Sequence, residues 1–366
     1  MSKSFILEKK ELFWIFTNII TVKMFFIYPR YLITTSGNAA WMQCIYVSLI
    51  SLVIYLITIN IYKKTGSQSI LDAAQKTGGG VLKAIIGIII TITLLANMSI
   101  IVRALPESIK TVLLPLTPMR YIILLLTVAT ALGTYFGLYS IARIHSLFMP
   151  IAALIFIAMI LLLIPNIDIN NIFPILGKGT YNIFVKGIEG IGIFSDILIL
   201  YLIIPYAKNF DDVRKSGFKA IIVSSLISVI IVLFYNMTYG YPASEDFVLP
   251  VYQITRLIKI GDFFQRLEAF FEFVWSISIM LYVSLYLFVI CNVWKEIFNL
   301  KYYKVLILPF SIIFSALSFL PSSTVQLNDL GKFISIVAIP VCLILPALMG
   351  VGCKIKINAD KKQNKI

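Results

Sequence analysis

The chain has 366 residues, of which 60% are hydrophobic and only 13% charged, and it carries a formal net charge of +14. Its mean hydropathy is +0.95. Apolar runs close to 20 residues, the length that crosses roughly 30 Å of hydrocarbon as a helix, recur along it, which excludes a soluble domain. A β-barrel is excluded as well, because its strands would alternate polar and apolar at every second residue.

The apolar runs predict an all-α integral membrane protein with ten transmembrane helices, at 12–34, 40–61, 82–105, 119–142, 145–165, 183–206, 217–238, 266–291, 303–320 and 330–351. The segment 1–353 reads as a single transmembrane domain. A polar tail at 354–366 is expected to be disordered and cytoplasmic, with its lysines near anionic headgroups. The basic amino end followed by an apolar run imitates a signal peptide, but the run is too long, and Pro29 and Arg30 interrupt it before any cleavage-like site. The excess of positive charge does not imply nucleic acid, because the basic residues lie in short loops between spans. Of the 31 lysines and arginines, 20 fall on the side that holds both termini and 10 on the other, so both termini are expected in the cytoplasm.

Span one contains the first anomaly. Thr17, Asn18, Thr21 and Lys23 place four polar side chains within seven residues of an otherwise apolar run. An unpaired ionisable group at membrane depth costs at least about 2.5–3.5 kcal/mol, so Lys23 needs a partner. It either snorkels toward the interface or faces a central cavity. Span three offers Asn97 and Ser99, then Arg103 and Glu107 at the spacing of an ordinary ion pair on a helix surface. His145, the one histidine, opens span five and is expected at headgroup level.

Span six, "KGIEGIGIFSDILILYLIIPY", has Gly187, Gly190 and Gly192 around Glu189, followed by Ser195 and Asp196. Each glycine weakens a helix by about 1 kcal/mol. Freed backbone groups are tolerated at this depth only where they line a cavity or are buried in protein. Glu189 and Asp196 are seven apart and share a helix face; Glu189 has the alternative of pairing with Lys186 at the outer interface, with the glycines packing closely against a neighbour. Before span eight, Val251, Ile254, Ile258 and Phe263 predict a short helix along the outer surface. Asp262–Arg266 and Glu268–Glu272 follow, each at i,i+4, then Trp275 and Tyr282. Glu272 lies inside the apolar run and is expected to point inward.

The four cysteines have no paired spacing and read as buried thiols; no metal site or cofactor is suggested. No phosphate loop, HExxH or nucleophile–base spacing is present, so no catalytic residues are assigned.

Interrupted spans one and six, each the first of a set of five, point to a LeuT-like five-plus-five inverted repeat, about 12–165 and 183–351. Several segments then carry a resemblance. These are "YPRYLITTSGNAAW", "KKTGSQSILDAAQKTGGGVLKAIIG", "LLPLTPMRYIILLL", "GLYSIARIHSLFMPI" and, most specifically, "LIKIGDFFQRLEAFFEFVW". In order and spacing they resemble the B subunits of GerA-type nutrient germinant receptors, the spore germination permease family. The resemblance implies a LeuT-like bundle in the spore inner membrane, partnered by an A subunit and a lipoprotein C subunit. It also implies recognition of a small nutrient, typically an amino acid. An autonomous amino-acid/cation secondary transporter is the competing expectation. By fold-level placement the ligand shell would be Asn18, Thr21, Gly190, Gly192 and Ser195, with Asn97 and Tyr282. Lys23, Glu189, Asp196 and Glu272 would form the ion-pair or cation site, with Lys23 as a built-in cation paired to Asp196 or Glu272. Span one departs from the family in having no glycine where the helix unwinds, so that it either stays helical or opens at Thr21 and Lys23 by other means.

Overall fold

A computed structural model describes residues 6–26, 28–247, 249–258 and 267–363. Among them the regular structure is helical throughout, with one isolated parallel bridge between Leu7 and Ala207. The helices are α1 Lys9–Thr21, α2 Tyr28–Ser36, α3 Ala40–Thr65, α4 Ile70–Val112, α5 Met119–Phe136, α6 Leu138–Leu163, α7 Thr180–Phe184, α8 Ile197–Ile203, α9 Phe210–Tyr239, α10 Pro250–Thr255, α11 Leu267–Ile297, α12 Ile307–Ser318, α13 Thr324–Ile339 and α14 Leu345–Gln363. Eight helical stretches among the described residues are long and apolar enough to cross a membrane, and Tyr303–Ser318 is a shorter apolar one.

The amino-terminal span is broken without any glycine. α1 opens with the Glu8 N–H donating to the Glu11 carboxylate at 2.9 Å, which satisfies a donor that has no partner inside the helix. It ends at Thr21, gives way to a 3-10 turn at Val22–Phe25, and resumes as α2. Two causes are local. Pro29 has no N–H to return to the Phe25 carbonyl, and its ring would clash there, so α geometry cannot run on through it. The Thr17 and Thr21 hydroxyls donate to the Phe13 and Thr17 carbonyls at 2.8 Å each, a back-bonding that bends helices.

Span six is broken by a different device. Between α7 and α8 lies an 11-residue 3-10 segment, Lys186–Asp196, far beyond the three or four residues usual for that geometry. Residues three apart eclipse in a 3-10 helix, so Gly187 and Gly190 present one bare stripe. A Cβ on either would come within about 3.0 Å of the Gln43 side chain. That side chain donates to the Gly187 carbonyl at 3.0 Å and accepts from the Ser36 hydroxyl at 2.8 Å, supplying a partner for backbone that the broken helix leaves open.

Several expectations are corrected. Residues 70–77, left between the predicted spans 40–61 and 82–105, form the first part of α4, where Ser69 accepts from the Asp72 N–H at 3.1 Å and a kink at Gly78–Gly79 turns the chain into the span. Gly137, at φ +89°, ends α5 earlier than 142, so α6 begins at Leu138 and His145 lies inside it, fully buried in the bundle, instead of opening a span. The expected disordered tail is helical to Gln363, because its start is anchored: Cys353 is buried against Ser67, and Lys356 donates to the Thr77 carbonyl at 3.2 Å. The short helix before span eight is α10, but Val251, Ile254 and Ile258 are buried in the bundle instead of lying along its surface. Phe263 and the Asp262–Arg266 pair lie outside the described residues. All four cysteines are buried and unpaired.

Candidate functional site

Lys23, in the 3-10 turn of the first broken span, and Asp196, the last residue of the 3-10 segment in span six, meet inside the bundle. The ammonium is 2.9 Å from Asp196 Oδ2. Neither is accessible to any extent, with exposures of 2% and 1%. The Lys23 ammonium also donates to the Ser195 hydroxyl at 2.8 Å and to Asn97 Oδ1 at 3.3 Å. One ion pair and two hydrogen bonds therefore surround it, which is what makes a buried ammonium tolerable.

Asp196 is equally well supplied. Its Oδ1 accepts from the Tyr282 hydroxyl at 3.3 Å and from the Tyr286 hydroxyl. The two tyrosines are one helical turn apart on α11 and stack with ring centroids 4.2 Å apart. The pair thus ties both broken spans to α4 and α11.

A cavity of about 770 Å³ leads to this pair. Lys23, Asn97, Phe26 and Ser335 lie in its buried part, and Thr34, Lys186, Glu189 and Lys332 at its exposed rim. Basic side chains in the lining (Lys23, Arg30, Lys178, Lys186, Lys332) outnumber acids (Glu189, Asp329), so the space favours an anionic group. Tyr28, also in the wall, donates to the Ser335 hydroxyl at 2.7 Å.

A family model described as "Spore germination protein" matches residues 6–325. The chain belongs to this spore germination protein family. Among curated relatives in Bacillus subtilis (strain 168), it is 25% identical to "Spore germination protein A2" over 75% of each chain. It is 22% identical to "Spore germination protein YndE" over 89% of this chain and 90% of the relative, and 19% identical to "Spore germination protein B2" over 68% of each.

In this member of the germination family, the expected site residues divide into groups. Lys23, Asn97 and Glu189 line the cavity. Ser195, Asp196 and Tyr282 stand behind Lys23 as its direct or indirect partners. Glu189 accepts from the Tyr31 hydroxyl at 3.2 Å.

The remaining expected residues are outside the cavity wall. Thr21 donates to backbone of its own helix. Asn18 donates to the Ser278 carbonyl and to His145 Nε2, each at 3.1 Å. His145 Nδ1 lies 2.8 Å from the Ile141 carbonyl, which can only accept, so Nδ1 carries the proton and Nε2 accepts from Asn18. Gly190 and Gly192 serve close packing: a Cβ on Gly192 would collide with Ser335. Glu272 sits apart from Lys23 and accepts from the Ser108 hydroxyl at 2.8 Å. Arg103 and Glu107 pair at 3.0 Å, but with Arg103 buried.

Sequence reasoning missed Gln43, Tyr28, Tyr286 and Ser335, and gave His145 no partner. The Tyr282–Tyr286 spacing of four was visible and would have placed Tyr286 on the same helix face. Nothing local marks Gln43 or Ser335, whose roles arise from elements distant in the chain.

Proposed function

We propose that this chain is the membrane subunit of a nutrient germinant receptor, binding a small nutrient, an amino acid, in the cavity that ends on Lys23 and thereby triggering germination. The observation that carries the reading is the position of that cavity, which ends where two spans leave α geometry and where a buried Lys23–Asp196 pair holds them together. The nutrient carboxylate enters the basic cavity and takes the place of Asn97, the longest of the three Lys23 contacts. Asp196 then shares its cation with the ligand. That changes the relative stability of two arrangements of the broken spans, as a ligand must in order to act as a signal. Lys23 in this account is the built-in cation of the site.

The same reading takes the bundle as a LeuT-like five-plus-five repeat of ten spans in the spore inner membrane. Both termini are cytoplasmic, the cavity opens outward, and an A subunit and a lipoprotein C subunit are partners. The interruption of spans one and six and the charge bias of the loops support it.

The test is thermal unfolding of the purified chain with single amino acids. A ligand at a hundred times its Kd stabilises the folded state by about 2.7 kcal/mol. A stabilising amino acid whose effect disappears in Lys23→Met is the expected result, and absence of any stabilising amino acid or sugar removes the proposal. The competing transporter reading is tested by uptake into liposomes under an ion gradient, where the receptor reading expects none.

A further inference from the structure

Phe26 lines a second space besides the main cavity. This recess, with room of about 50 Å³, holds one small group rather than a whole nutrient. Its walls are apolar and in part aromatic: Phe25 stacks on Trp275 with centroids 3.4 Å apart, and Phe26, Phe156 and Phe271 lie among aliphatic side chains such as Ile155, Leu249 and Val251. Into these walls project two carboxylates of α11, Glu268 and Glu272, one turn apart.

Glu272 is the informative one. It is only 7% exposed. Its Oε2 accepts from Ser108, but Oε1 has no hydrogen-bond partner among the described residues, and neither has the Trp275 indole N–H. No lysine or arginine among the described residues pairs with it. A buried carboxylate oxygen left this way requires a counter-charge or a proton. A hard divalent ion is a poor match, since calcium takes six to eight oxygen ligands and magnesium an octahedron. Aromatic faces beside a carboxylate instead suit a cation bearing N–H groups, which binds the acid on one side and ring faces on the others.

We propose that this recess binds a primary alkylammonium group, held by Glu272 Oε1 and bordered by the stacked Phe25–Trp275 pair. It is separate from the Lys23 cavity, with Phe26 lining both. The positive charge of Lys23 lies in the other space, so an ammonium has its own acid here and does not compete with that lysine.

The test is calorimetric titration of the purified full chain with methylammonium chloride, against sodium chloride at equal ionic strength. Saturable methylammonium binding is expected, weakened roughly tenfold or more in Glu272→Gln, as loss of a charged hydrogen bond implies. Trp275→Leu is expected to weaken it several-fold while leaving the carboxylate in place, and decides the matter if Glu272→Gln does not fold. No saturable binding, equal binding by Glu272→Gln or, where that variant does not fold, by Trp275→Leu, or sodium competing as well as methylammonium overturns the proposal. A Glu272 that simply holds a proton gives the first of these outcomes.

Discussion

The ammonium of Lys23 stands 2.9 Å from the carboxylate of Asp196, and each residue belongs to a 3-10 stretch that interrupts its own span. The charges therefore sit where the backbone is least regular and where carbonyl and N–H groups are least committed. A charge pair at that point joins two weak places to each other, so anything that competes for either charge acts on both helices.

Removing one partner of a buried pair leaves the other charge stranded, at about 3–5 kcal/mol. Lys23→Met is expected to lose stability on this scale, while Lys23→Met combined with Asp196→Asn regains most of it. The double-mutant cycle, read by thermal unfolding of the purified variants, gives the coupling directly. Additive losses would show that the pair contributes nothing as a pair. In spores, Lys23→Met is expected to abolish or strongly right-shift the nutrient dose response; a parental response would remove Lys23 from the signalling route.

Asn97 holds the third N–H of Lys23 at 3.3 Å from the cavity wall, while its own amide donates to the Thr93 carbonyl at 2.9 Å. Asn97→Ala leaves that N–H facing the cavity. If the nutrient carboxylate replaces Asn97, the variant no longer has to break this contact, and the affinity rises by about three- to tenfold, the equivalent of one modest hydrogen bond. Equilibrium titration with the stabilising amino acid checks it; a weaker affinity makes Asn97 a ligand contact instead.

Gly192→Ala introduces a Cβ that meets the Ser335 hydroxyl and lies 2.9 Å from the Ser335 carbonyl oxygen. Overpacking of this kind costs about 1–3 kcal/mol. Ser335→Ala is not expected to rescue it, because the backbone oxygen remains. Gly80→Ala, where nothing lies within 4 Å, serves as the tolerated control in the same unfolding measurement.

Gln43→Leu keeps the bulk of the side chain but withdraws the donor to the Gly187 carbonyl and the acceptor for Ser36. The Gly187 carbonyl loses its donor, while Ser36 keeps its longer contact to the Asn182 carbonyl at 3.3 Å, so a loss of about 1–3 kcal/mol is expected. Faster amide hydrogen exchange confined to 186–196 would locate the effect in the 3-10 segment. Unchanged exchange there would mean that Gln43 is not what stabilises it.

The helical, membrane-crossing character of the chain, its family resemblance and the suspicion attached to Lys23 were all legible in the amino-acid order. Hydropathy and the energetic penalty of a submerged charge are properties of a short stretch of chain, and a stretch of sequence displays them. The break in span one was half legible: opening at Thr21 and Lys23 was one of two alternatives left standing, and the helix does end at Thr21. The glycines of span six did mark an irregular helix, but not what they were for. A missing Cβ is equally consistent with lining a cavity and with receiving Gln43 or Ser335, and only the neighbour decides.

The sequence by itself determined that Lys23, Asp196 and Glu272 are acids and a base submerged in apolar helices, each in need of company. Only the tertiary structure decided that Lys23 takes Asp196, that Glu272 faces an aromatic recess instead, and that His145 is buried against Asn18. Periodicity specifies which face of a helix a residue occupies, whereas partnership depends on how helices far apart in the chain are brought side by side.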